Sequence, residues 1–238
     1  MTGVKKYKVL IFDADHTVID YTQDEREALK KLLPSLGIEP TEEVLDECNQ
    51  ISVNAWVGAG LNEVHMEYIQ REYHNLYHTH VKRIFEGIFK LFPCAADPQE
   101  TGLKFAKLLE APAVLCEGAG EVLSALYGNY TLCIATNGMT EMQYGRLRKI
   151  GKYFKKLYIS EEMGVIKPLP AFFERILSDF EVERSECLMI GDSLSSDIRG
   201  ASLSGIDSCW LNRRGAKNDL GIVPTYEVKS LKELLTIV

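Results

Sequence analysis

The chain has 238 residues, 46% apolar and 26% charged, with 27 basic against 34 acidic side chains and a net charge of −7. That length exceeds one average domain and falls short of two, and it is enough to bury a core without disulfides or metals. The acidic balance argues against a nucleic-acid polymer or an anionic membrane surface as partner, and no apolar run approaches the roughly 18 residues of a membrane span.

In chain order, Met1–Asp13 carries only one short apolar run, Val9–Phe12, and no small-residue cleavage site, so it does not read as a signal peptide. Lys8-Val9-Leu10-Ile11-Phe12-Asp13 reads as a strand buried on both faces. From about Ile19 to Pro112 no strand is evident. Thr22-x-x-Glu25 has the form of a capping box opening a helix toward Leu33. Pro34, Gly37 and Pro40 punctuate, and Thr41 suits the N-cap of a second helix. Leu61–Phe89 is a long amphipathic stretch and Thr101–Leu109 a shorter one. Past Pro112, apolar runs return at Tyr130–Thr136, Cys187–Gly191 and Ser208–Leu211, with a weaker one at Lys156–Ser160. Helical patterns at about 117–127, 140–150, 171–180 and 196–204 separate them. Strands and helices alternating at this spacing predict an α/β, doubly wound parallel sheet. The expected organisation is an α/β core of residues 1–18 and 113–238 with an all-helical domain of residues 19–112 inserted in it. The insert holds 9 basic and 16 acidic side chains, so it carries the whole charge excess; the remainder holds 18 of each. Six scattered cysteines form no C-x-x-C pair and are expected to be reduced thiols of a cytoplasmic protein.

Chemistry concentrates where the strands end. Asp13-Ala14-Asp15-His16-Thr17 follows the first strand, and a carboxylate closing a buried strand is costly unless it faces a ligand or cation. The carboxyl ends of strands form the binding crevice of such sheets. Two carboxylates two residues apart there suit a metal site, or a nucleophile beside an acid/base; a simple turn is the competing reading. Thr136-Asn137-Gly138 closes the second strand with a hydroxyl, an amide and backbone N–H groups suited to a phosphate. Lys167, in Gly164-Val165-Ile166-Lys167-Pro168, is the natural counter-charge for such an anion. Gly191-Asp192, with Asp197 five residues on, ends another strand in a carboxylate, and two strand-terminal aspartate sites suggest a shared cation; capping of the 196–204 helix is the alternative for one acid.

These four motifs, in this order from Asp13 to Asp197, resemble the haloacid dehalogenase superfamily. Ile159–Val165, Ser208–Asn212 and the tail from Pro224 are similar to its pyrimidine 5′-nucleotidase branch. The resemblance implies a Rossmann-like sheet of strand order 3-2-1-4-5 with a helical cap, and an Mg²⁺-dependent phosphomonoester hydrolase. It implies Asp13 as nucleophile, Asp15 as acid/base, Thr136 and the Asn137 N–H as phosphate ligands, and Lys167 as counter-charge to the phosphate and support for Asp13. Mg²⁺ would sit among Asp13, the Asp15 carbonyl and Asp192, with Asp197 in support or reaching it through water. The implied substrate is a small phosphorylated metabolite, a pyrimidine nucleoside monophosphate first. Alternatives are a sugar-phosphate or phosphoglycolate phosphatase, a phosphomutase, or a non-catalytic binding protein of the same fold. An acid at position 15 separates phosphatases from the dehalogenase members, whose halide leaves without a proton.

In the insert, His74 and His78 share a helix face, but a zinc site needs further ligands, so a polar face is the reading preferred. Trp56, Tyr68, Tyr73 and Tyr77 read as core before they read as a base-stacking surface. Gly58-Ala59-Gly60 reads as a turn between helices.

Overall fold

The computed structural model describes residues 6–238; the Met1–Lys5 part of the N-terminal reading lies outside the described residues. Packing divides the chain into two compact units. The first takes the residues up to Asp20, Leu115–Thr140 and Lys149–Val238; the second takes Tyr21–Val114 and Glu141–Arg148.

The first unit is built on a parallel sheet. Its strands are β1 (Val9–Phe12), β2 (Thr131–Thr136), β3 (Lys156–Ile159), β4 (Cys187–Gly191), β5 (Asp207–Leu211) and β6 (Tyr226–Val228), in the order β3-β2-β1-β4-β5-β6. The order expected for five strands holds, and β6 extends the edge beside β5. Three residues containing a glutamate give too little apolar pattern for a strand to be read. β1 is central and wholly buried, flanked by β2 and β4, which explains its unbroken apolar sequence. The register sets Phe12 opposite Ile134 and Ile190, so Asp13 leaves the sheet beside the ends of both neighbours. On one face Val9, Ile11, Cys133, Ala135, Cys187 and Met189 pack against Phe172, Phe173 and Ile176.

Helices α5 (Ala119–Leu126), α7 (Ser160–Met163) and α8 (Pro170–Phe180) lie in this unit, with α9 (Arg199–Leu203) following a π-helical turn, Leu194–Ile198. Ser193 caps that turn by accepting from the Ser196 N–H, so neither Asp192 nor Asp197 serves as the cap. The six cysteines are unpaired, and no helix among the described residues is long and apolar enough to cross a membrane.

The second unit is helical: α1 (Tyr21–Leu32), α2 (Glu42–Gly58), α3 (Glu67–Leu91), α4 (Pro98–Leu109) and α6 (Thr140–Arg146, from Glu141 onward). Thr41 caps α2 as expected, and Asp97 caps α4 by accepting from the Glu100 N–H. The capping box at Thr22 does not form. Helix α1 begins before it, at Tyr21, and Glu25 is buried, accepting from Ser52 Oγ at 2.5 Å and Asn49 Nδ2 at 2.7 Å. Contacts with α2 thus claim the side chain that local spacing assigned to a cap. The aromatic residues are packed on one another: Trp56 meets Tyr73, Tyr77 and His80 edge to face, with centroids 5.5–6.3 Å apart. Arg146 is fully buried and pairs with Asp24 at 2.8 Å, while its carbonyl accepts from the Ala113 N–H at 3.0 Å.

Candidate active site

The strand ends of the first unit gather the residues singled out above. Asp13 follows β1, and its N–H donates to Ile190 O at 2.8 Å, continuing the ladder one step past the strand. Its carboxylate is almost wholly buried and accepts from Lys167 Nζ at 2.7 Å. Lys167 is equally buried and donates also to Asp197 Oδ1 at 2.7 Å and Ala135 O at 2.6 Å. All three ammonium donors are therefore used.

The loop presenting Lys167 is fastened to the end of β2. Asn137 Oδ1 accepts from the Lys167 N–H and Asn137 Nδ2 donates to Lys167 O, each at 2.8 Å. The Thr136–Thr140 loop is held in turn by Ser160 Oγ on the Gly138 N–H at 3.0 Å and Glu161 Oε2 on the Thr140 N–H at 2.7 Å. Thr136 is buried at the strand end. The Asn137 side chain is thus committed to the lysine loop, and the backbone N–H is the part of Asn137 the phosphate reading relies on.

Asp13, Asp192 and Asp197 each offer an oxygen lying within 4.8 Å of the others. Asp197 is fully buried; its oxygens accept from Lys167 Nζ, from the Ser193 N–H at 3.1 Å and from Ser196 Oγ at 3.3 Å. Asp15 is half-buried two residues after Asp13. Burial pushes the Asp13 carboxyl well above the ordinary range, against the Lys167 charge and with Asp197, Asp192 and Asp15 adding repulsion. Burial also lifts Asp192 to about 7, reinforced by Asp197. For Lys167, burial opposes the charge, but Asp13 and Asp197 outweigh it and its pKa rises.

The donor set fits a hard divalent cation. Every donor is a carboxylate oxygen, and the cluster holds more negative charge than one ammonium offsets, a repulsion that adds to the burial raising Asp13 and Asp192. Among the described residues no histidine joins such a cluster.

Sequence reasoning passed over several supports. Gly191 has no side chain because a Cβ there would lie 2.2 Å from Asp197 Oδ2; a glycine directly before a motif aspartate was the available signal. Trp210 Nε1 donates to Asp192 O at 2.9 Å. Ala135 O, a backbone acceptor, leaves no mark in the sequence.

A family model described as haloacid dehalogenase-like hydrolase matches residues 7–205. The chain belongs to that family. Among its relatives is the putative HAD-hydrolase YfnB of Bacillus subtilis, 31% identical over 98% of this chain and 96% of its own. Pyrimidine 5′-nucleotidase PynA of Streptococcus pneumoniae is 32% identical over 96% and 94%, and pyrimidine 5′-nucleotidase YjjG of Escherichia coli 30% over 96% of each. A crystal structure of YfnB bound to magnesium superposes with a TM-score of 0.84 at 32% identity, covering 98% of this chain and 99% of that one. In this hydrolase family context, the first unit is the expected α/β fold.

Proposed function

We propose that this hydrolase is an Mg²⁺-dependent phosphomonoesterase working through an aspartyl-phosphate, with pyrimidine nucleoside 5′-monophosphates as leading substrates. The observation that carries the reading is the buried Asp13 carboxylate held on Lys167 at 2.7 Å inside a cluster of three aspartates. The magnesium in the YfnB crystal structure supports the metal, and the two full-length relatives named as pyrimidine 5′-nucleotidases support the substrate class.

Asp13 attacks phosphorus in line as its carboxylate, the form that the Lys167 charge favours. The bond to the ester oxygen breaks as that to Asp13 forms, and Asp15 gives its proton to the leaving alkoxide. Asp15, now a carboxylate, takes a proton from a water that attacks the phosphorus of the aspartyl-phosphate, which frees inorganic phosphate and restores Asp13. Thr136 and the Asn137 N–H bind phosphoryl oxygens, and Lys167 keeps Asp13 aimed while offsetting phosphate charge. Asp13, Asp192 and the Asp15 carbonyl would hold the cation, with Asp197 bracing Lys167 and the Ser193 backbone. When bound, Mg²⁺ neutralises charge developing on the phosphoryl oxygens. The resemblance gives the helical insert, residues 19–112 in the sequence reading, the part of selecting the substrate.

A phosphomonoester panel tests the substrate: dUMP, dTMP and UMP should be turned over well, and sugar phosphates outperforming all three would overturn the nucleotidase reading. Asp13→Asn tests the mechanism. It should lower kcat by about ten-thousandfold or more while still binding substrate, and normal turnover would refute nucleophilic attack by Asp13.

A further inference from the structure

The turn that carries the two N-terminal aspartates is not held by its own side chains alone. Ala14 O accepts from the N–H groups of Thr17, Val18 and Ile19 at 3.0–3.3 Å. His16 sits in the left-handed region at φ 58°, a conformation unfavourable for a residue with a Cβ. Thr17 Oγ1 is buried without a hydrogen-bond partner, so the threonine does not tie the turn down. The His16 N–H donates to Ile19 O at 2.8 Å and Val18 O accepts from the Cys116 N–H at 3.0 Å, and a further grip comes from 196 residues along the chain. Arg213 Nη1 donates to His16 O, and Arg213 Nη2 donates to Thr17 O at 3.0 Å. Two consecutive carbonyls thus meet the two arms of one guanidinium, a match a lysine cannot reproduce.

Arg213 is itself delivered by a built turn. Asn212, buried just past β5, accepts from the Ala216 N–H at 2.7 Å and donates to Ala216 O at 3.0 Å and Glu227 Oε1 at 2.8 Å. Its own N–H donates to Val228 O at 2.8 Å. Three residues before Arg213, Trp210 holds the Asp192 carbonyl. The end of β5 therefore braces both aspartate loops.

We propose that Arg213 is a positioning residue for Asp15. The proposal rests on the acid/base role given to Asp15 above. Asp13 is fixed by the sheet ladder through Ile190 and by Lys167. Asp15 lies beyond the strand, and its backbone runs directly into His16, whose carbonyl Arg213 holds. Removing the guanidinium takes away the long-range part of the hold on the Asp15 turn, leaving its local hydrogen bonds, and leaves Asp13 in place. The chemical consequence is selective, because a proton donor matters for a basic alkoxide leaving group and little for a weakly basic phenolate.

The test compares kcat/KM, which reports the first phosphoryl transfer, for 4-nitrophenyl phosphate and for the primary-alkyl esters dUMP and glycerol 3-phosphate. Arg213→Ala should lower kcat/KM for the alkyl esters by about ten- to a hundredfold, a fraction of what a general acid supplies. It should change the nitrophenyl ester less than about threefold, with KM little altered. The side chain is exposed, so the variant should melt within about 4 °C of the parent; should it fail to fold, Arg213→Lys, which keeps the charge and loses the fork, replaces it with the same selective loss expected. Asp15→Asn, assayed in parallel, separates the two claims. If it shows the alkyl-selective loss and the Arg213 variants slow both ester types equally or neither, the positioning role is overturned and the Asp15 reading stands. If Asp15→Asn itself shows no selectivity, the acid/base reading falls and takes the proposal with it.

Discussion

Both units bury ionisable side chains, and they treat them in opposite ways. In the helical unit the buried Arg146, Glu25 and His80 each have partners that satisfy them. Arg146 lies on Asp24, with the Tyr21 ring 5.0 Å away; Glu25 takes Ser52 and Asn49; His80 Nδ1 donates to Tyr77 O at 2.6 Å. In the α/β unit Lys167 faces Asp13 and Asp197 with Asp192 beside them, and the sum is unbalanced. A balanced buried charge is a structural element, whereas an unbalanced one, costly on its own, marks where a ligand completes the account. Deleting a charge from the Arg146–Asp24 pair and deleting one from the aspartate cluster should therefore do opposite things.

Among the tests of this contrast, the largest effect is expected at Asp192. Asp192→Asn should reduce turnover about a thousandfold or more, yet raise the melting temperature of the chelator-treated protein at pH 8. Its carboxyl sits at about 7 in the fold against an ordinary 3.8, with burial as the main cause. The folded state therefore binds the proton more tightly, and stability is lost as pH rises from about 4 through 7. The amide removes that loss, and a lower melting temperature for the chelated variant would contradict the imbalance.

The reverse holds for Arg146. Arg146→Met takes the guanidinium from a largely buried Asp24, whose Oδ1 still accepts from the Val114 N–H at 2.7 Å; losing the counter-charge costs about 3–5 kcal/mol. Chemical denaturation followed by tryptophan fluorescence should show it, since Trp56 lies in the same unit. A change below about 1 kcal/mol would mean that the pair contributes little.

The balance differed in how visible it was beforehand. Strands β1 to β5 could be read because buried parallel strands are nearly pure apolar runs, their order came from the family resemblance, and the unbalanced carboxylates could be read because each closes such a run. Asp13, Lys167, Asp192 and Asp197 converge as their motif positions imply. What escaped notice is long-range and satisfied. Glu25 looked like a cap because i to i+3 spacing is a local rule, and a partner 27 residues away overrides it. Arg146, in a stretch read simply as a helix after the second strand, gave no sign that it pairs with Asp24, 122 residues distant. Arg213 was silent for a related reason, since its acceptors are backbone carbonyls that every residue possesses.

His80 gives a smaller, pH-dependent break. Burial lowers its pKa to about 4, so between about 6.5 and 4 the unfolded chain binds a proton that the folded one refuses. Its contribution is complete above about pH 6.5 and lost as pH falls through that window. His80→Asn, whose amide can donate to Tyr77 O, should shrink the stability difference between pH 7 and pH 4.5 by about 2–3 kcal/mol. An undiminished acid sensitivity would show that other groups govern it.

The finest test is Glu25, where satisfaction by hydrogen bonds meets the cost of a buried charge. Burial raises its pKa despite the Ser52 and Asn49 donors, so the ionised form is disfavoured in the fold and stability falls as pH rises above about 4.5. Glu25→Gln keeps the shape. Its carbonyl can accept from Ser52 Oγ, and its amide can donate to Asn49 once that side chain turns its oxygen inward. The variant should match the parent near pH 4.5 and exceed it by up to about 1 kcal/mol at pH 7. If it is instead less stable at pH 7, the carboxylate's two charge-assisted bonds outweigh its desolvation, and hydrogen bonds alone suffice to balance a buried charge in this unit.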